Sequence, residues 1–105
     1  MASTLPGHYQ RFVQAHPKIA EAYHGLGDAC HSAGPLDERT RALVKLGIAA
    51  GFRHEGAVHS HARKALDAGA SAAEVRHVVL LAMTTIGFPA TMAALAWIED
   101  VLEKR

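Results

Sequence analysis

The sequence predicts an all-α protein, on three observations. Hydrophobic residues make up 50% of the chain and aromatic residues only 6%, a composition that suits closely packed helices better than a sheet sandwich. Glycine and proline cut the chain into pieces of helical length. Within the pieces apolar residues recur at three and four, the helical period, and not at two.

Six segments follow in order. The first runs from about His8 to Ala15 and ends before Pro17, whose missing N–H and fixed φ suit the first turn of the next helix. The second, Lys18 to His31, carries Ile19, Ala22, Tyr23, Leu26 and Cys30 and stops at Gly34-Pro35. Asp37 is a natural N-cap for the third, which runs to about Ala50 with Leu43, Leu46 and Ala50 as its stripe and Gly51 as its expected stop. The fourth begins near His54 and reaches Gly69, another expected stop. Ser71-Ala72-Ala73-Glu74 then reads as a capping box, in which hydroxyl and carboxylate satisfy the first free amides of the fifth helix.

The fifth segment, Ala72 to about Ile86, and the sixth, Pro89 to about Glu103, are apolar around most of their circumference, with Gly87-Phe88-Pro89 turning the chain between them. Helices of this kind are buried on several sides. A chain of 105 residues can hardly cover both alone, so contact with further copies of the chain is expected. No internal repeat, low-complexity tract or linker interrupts it, and residues 1–105 are expected to form one domain.

The formal net charge is +1, from 11 basic and 10 acidic residues spread along the chain, so no basic block follows a phosphate backbone and nucleic acid is excluded as an expected partner. The longest apolar run, Val78 to Met83, is far short of a bilayer span, so no membrane segment is expected. Met1 to Gly7 has neither the charged start nor the apolar run of a signal peptide, and a cytoplasmic location is expected. Cys30 is the single cysteine, which rules out an intrachain disulfide, a CxxC redox pair and a polythiolate zinc site. After an apolar stripe, it is expected to be a buried, inert thiol.

The eight histidines point to chemistry most clearly in the fourth segment. At 100° per residue, His54, Val58, His61 and Ala65 fall within about 40° of a common line, so His54 and His61 are expected on the apolar face. His59 lies one turn after Glu55, and those two can pair on a flank. An imidazole turned inward can move a proton near neutral pH, and a nearby carboxylate would fix its tautomer. The candidate catalytic residues are therefore His61, His54, Glu55 and His59. Each histidine can equally be a hydrogen-bonded packing residue or a solvated surface group. All four are also metal-ligand types, yet only Glu55 and His59 have the i, i+4 spacing of metal-binding helices. No metal and no other cofactor is expected.

Several of these pieces together resemble a known family. Leu36-Asp37-Glu38-Arg39-Thr40-Arg41-Ala42-Leu43, the His61 helix ending in Ala68-Gly69-Ala70-Ser71, then Glu74-Val75 and the Gly87-Phe88-Pro89 hairpin look like the core of the carboxymuconolactone decarboxylase / alkyl hydroperoxidase D family, over roughly Leu36 to Leu102. The resemblance implies a six-helix alkyl hydroperoxidase D-like bundle that assembles as a homo-oligomer, a trimer or a hexamer. In the hydroperoxidase branch a CxxC pair precedes the histidine and a glutamate on the preceding helix assists it. Aligning that histidine with His61 puts His54 and Ala57 at the cysteine positions and Ala42 near the glutamate, which argues against thiol peroxidase activity. The decarboxylase branch is similar in placing an acid shortly before its histidine. Here Glu55 is the nearest acid, two residues earlier than the register expects. The resemblance thus implies acid–base chemistry on a small organic acid, with His61 and either Lys45 or Arg53 stabilising a developing enolate. The alternatives it leaves are a non-catalytic oligomeric scaffold or small-molecule binder and, third, a hydroperoxidase relying on Cys30 alone.

Overall fold

The computed structural model describes residues 7–105, which form helices and no strand. The chain divides into two compact units, one ending at Pro35 and the other running from Leu36 to Arg105.

The first unit is a helical hairpin of α1 (Gly7–Ala15) and α2 (Pro17–Ser32). Pro17 opens α2 as expected, because the first helical amides have no intrahelical acceptor and proline has none to leave unpaired. The Tyr9 hydroxyl and His24 Nε2 hydrogen-bond across the hairpin at 2.6 Å. A shallow groove of about 450 Å³ lies along it, with Glu21, His24 and Asp28 among its lining residues. Ile19, Tyr23 and Leu26 of the expected α2 stripe are exposed, and so is Cys30. The expectation of a buried thiol is therefore wrong: among the described residues of this unit only Ala20 is buried.

The second unit contains α3 (Glu38–Phe52), α4 (Glu55–Asp67), α5 (Ala72–Leu81), the single turn α6 (Met83–Ile86) and α7 (Phe88–Leu102). Asp37 caps α3, its carboxylate accepting from the Thr40 amide at 2.8 Å, and that bond holds the Asp37 carboxyl below its ordinary range. Gly51 does not stop α3. The helix runs one residue further to Phe52, and Arg53 takes the left-handed position at φ 61°. Gly69 does stop α4: at φ 100° it allows a Schellman closure in which the Gly69 amide donates to the Leu66 carbonyl and the Ala70 amide to the Ala65 carbonyl. The Ser71–Glu74 capping box forms with both of its bonds, at 2.9 and 3.1 Å.

The expected fifth helix is broken at Ala82. There the ladder tightens to i−3 bonds, from the Ala82 amide to the Val79 carbonyl and from the Thr85 amide to the Ala82 carbonyl. The two β-branched residues that follow, Thr84 and Thr85, do little to hold a straight helix. Gly87, at φ 91°, then turns the chain into α7.

Small side chains build the core. Leu46 of α3, Val58, Ala62 and Ala65 of α4, Val75 and Val79 of α5, and Ala94 and Ile98 of α7 are all fully shielded and form one cluster. Three alanines among them let helix axes approach closely, and this is where the alanine-rich composition is spent. Packing places α4 between α3 and α7, so its two flanks face different helices.

Candidate functional site

The buried stripe of α4 is Val58, Ala62 and Ala65, and the expected site residues distribute themselves around it. His61 lies on the flank towards α3. Its ring is partly buried, and its Nδ1 is shielded from solvent and makes no hydrogen bond among the described residues. Loss of water around the ring lowers its pKa below the ordinary 6.5, and the charges of Lys64 and of Lys45 on α3 lower it further. At neutral pH His61 is a neutral imidazole with one ring nitrogen hidden from water and two ammonium groups within electrostatic range.

His54 does not share this face. It is the N-cap of α4, with extended backbone at φ −108° and ψ 106°, and its exposed ring accepts a hydrogen bond from the Ala57 amide through Nδ1 at 3.1 Å. The helical-wheel argument misplaced it because a cap residue lies outside the helical rotation. Gly56 makes room for this cap: a Cβ there would come within 3.3 Å of His54 Cε1.

Glu55 and His59 lie on the other flank of the buried stripe, His59 about 160° around the axis from His61. They do not pair with each other. His59 Nε2 instead meets Asp100 Oδ2 of α7 at 3.0 Å, with Glu55 close by. The structure therefore separates the four candidates into three positions: His61 alone towards α3, His54 at the helix end, and Glu55 with His59 towards α7. Asp100 escaped sequence reasoning because a carboxylate 41 residues away carries no spacing signal. Of the two cations named for enolate stabilisation, Lys45 acts on His61, whereas Arg53 is the C-cap of α3.

The model of the carboxymuconolactone decarboxylase family matches residues 17–100, four fifths of the sequence. The chain belongs to this family. A carboxymuconolactone decarboxylase family protein from Legionella pneumophila, solved in its apo form, superposes with a TM-score of 0.79 over 91% of this chain and 86% of that one. At 22% identity that likeness speaks for the fold alone. An uncharacterised protein of Haemophilus influenzae is 40% identical over 50 residues, 48% of this chain. Those residues are 44% of that protein, so the chain spans less than half the length of this relative.

The decarboxylase family match starts at Pro17, well before the core expected from Leu36, and so takes in α2 as well as the helices that carry the site. Of the positions named from the resemblance, His54 is a cap, Ala57 is partly buried and Ala42 is buried. The charged residue acting on His61 from α3 is Lys45. No helix among the described residues is long and apolar enough to cross a membrane.

Proposed function

We propose that this family member performs acid–base chemistry on a small organic acid, with His61 as the proton-handling residue and Lys45 and Lys64 drawing the substrate's anionic groups. The observation that carries the reading is the shielded, unbonded Nδ1 of His61 beside two cations. Desolvation and the two cations keep this imidazole in its base form near neutral pH and, once it is protonated, make it give the proton up readily, because they disfavour its charged form. Decarboxylation of a lactone acid suits these groups. The bond to the carboxylate breaks, carbon dioxide leaves, and the electron pair passes into an enolate stabilised by the ammonium groups. His61, charged by a proton taken up from water, then delivers that proton to carbon, so the net reaction consumes one proton. His54 contributes indirectly, by capping the helix that carries His61.

The test is turnover of a carboxymuconolactone, the family's namesake type of substrate, followed by carbon dioxide release. His61→Gln is expected to lower kcat by at least about 100-fold while circular dichroism and particle size stay unchanged. Equal rates in the two proteins would refute the reading.

A second reading, a small-molecule binder that has lost catalysis, draws support from Ala42 and Ala57 at the positions of reactive groups and from the lack of any carboxylate bonded to His61 among the described residues. It predicts no turnover by the wild-type chain, together with stabilisation against heat by small carboxylic acids.

In either reading the working form is a homo-oligomer. Val44, Ile48 and Phe52 recur every fourth residue along α3 and are 46, 60 and 79% exposed. A second copy of the chain, offering the same apolar stripe, is the partner this exposed face fits.

A further inference from the structure

Glu55 and His59 are one helical turn apart near the start of α4, so their side chains rise from the same flank. Packing of α7 against that flank adds Asp100. One ligand-type atom from each of the three residues lies within 4.8 Å of the other two. One pair, His59 Nε2 and Asp100 Oδ2, is 3.0 Å apart. Two donors at right angles, each about 2.1 Å from one metal ion, are themselves separated by about 3.0 Å, so this edge already has coordination spacing.

We propose that Glu55, His59 and Asp100 bind one divalent transition-metal ion at the α4–α7 packing edge. An ion pair between His59 and Asp100 accounts for two of the three groups and leaves Glu55 unexplained. Glu55 brings a second negative charge to the pair, and none of the lysine or arginine ion pairs among the described residues involves any of the three. Two carboxylates and a neutral imidazole carry a charge of −2, which a divalent ion neutralises. Separations within 4.8 Å close to coordination distance through the side chain of exposed Glu55, while the helices keep their packing.

The donor set selects the class of ion. An imidazole nitrogen with two carboxylate oxygens and no thiolate suits first-row ions such as Zn²⁺ or Mn²⁺ over Mg²⁺, and Zn²⁺ is held more tightly than Mn²⁺ at such ligands. Glu55 and Asp100 are both exposed, so the remaining coordination positions are filled by water. The site lies across the buried stripe of α4 from His61 and does not depend on the chemistry proposed there.

The test is calorimetric titration of Zn²⁺, Mn²⁺ and Mg²⁺ into the full chain after treatment with a chelator. One Zn²⁺ per chain is expected, with Mn²⁺ weaker and Mg²⁺ silent. Glu55→Gln, Asp100→Asn and His59→Gln are each expected to weaken Zn²⁺ binding by at least about tenfold, and His61→Gln to leave it unchanged. Absence of Zn²⁺ binding overturns the proposal. So does Zn²⁺ binding that survives both Glu55→Gln and Asp100→Asn, since it would then belong to other histidines. Those two substitutions fall on exposed side chains and keep the test decisive even if His59→Gln unfolds the chain.

Discussion

At the scale of single residues, the molecule is organised by where each imidazole of α4 ends up. His61 has a pKa lowered first by desolvation and then by Lys64 and Lys45, so the folded state prefers it neutral. The unfolded chain protonates this ring near 6.5, above the folded value, and therefore binds more protons as the pH falls. The contribution of His61 to stability is thus complete above about pH 6.5 and is lost as the pH drops from there through the lowered folded value. Urea unfolding midpoints at about pH 7.5 and 5.5 are expected to differ less in His61→Gln than in the wild type, and an equal difference in both would show that the ring is not desolvated. Little of this could be read from the sequence. The helical period put His61 and His54 on one face; His61 lies partly buried on a flank, and His54 was misplaced because the wheel took no account of where the helix begins.

Individual helices show how far local rules carry. The caps were legible: Asp37, Pro17, Gly69 and the Ser71–Glu74 box all act as their side chains dictate, since each satisfies backbone groups within a few residues of itself. The end of α3 was not legible. Gly51 was free to terminate it, yet the helix continues and Arg53 bears the left-handed conformation at φ 61°. A residue with a Cβ is strained there, so Arg53→Gly is expected to stabilise the chain by about 0.5–1 kcal/mol, the relief exceeding glycine's extra freedom in the unfolded state. Thermal unfolding checks this, and a lower midpoint for the variant would mean that the arginine makes compensating contacts. The break at Ala82 likewise has no glycine or proline to announce it. It came from tightened backbone bonding ahead of two threonines.

For the whole molecule, the question is what covers the apolar surface that one chain leaves open. Exposed Val44, Ile48 and Phe52 on α3, and Leu80, Leu81, Phe88 and Met92 further along, are more than a small soluble domain ordinarily presents. Ile48→Glu is expected to shift the protein to smaller species in sedimentation velocity while leaving its helical content intact, since a charge placed in an apolar contact between copies is not solvated there. An unchanged sedimentation coefficient would remove α3 from the interface.

The sequence by itself determined the helical class, most helix boundaries and the family. These follow from hydrophobic period, from caps acting over three or four residues and from an alanine-rich stripe that only close helix packing can bury. The tertiary structure alone decided which groups meet. Packing α4 between α3 and α7 gave His61 the charge of Lys45 and gave His59 the carboxylate of Asp100, and it left Glu55 with the latter pair. Partners that are 16 and 41 residues apart in the chain are joined by the fold and by no local pattern, and that is why the acid–base candidate could be named in advance while the proposed metal site could not.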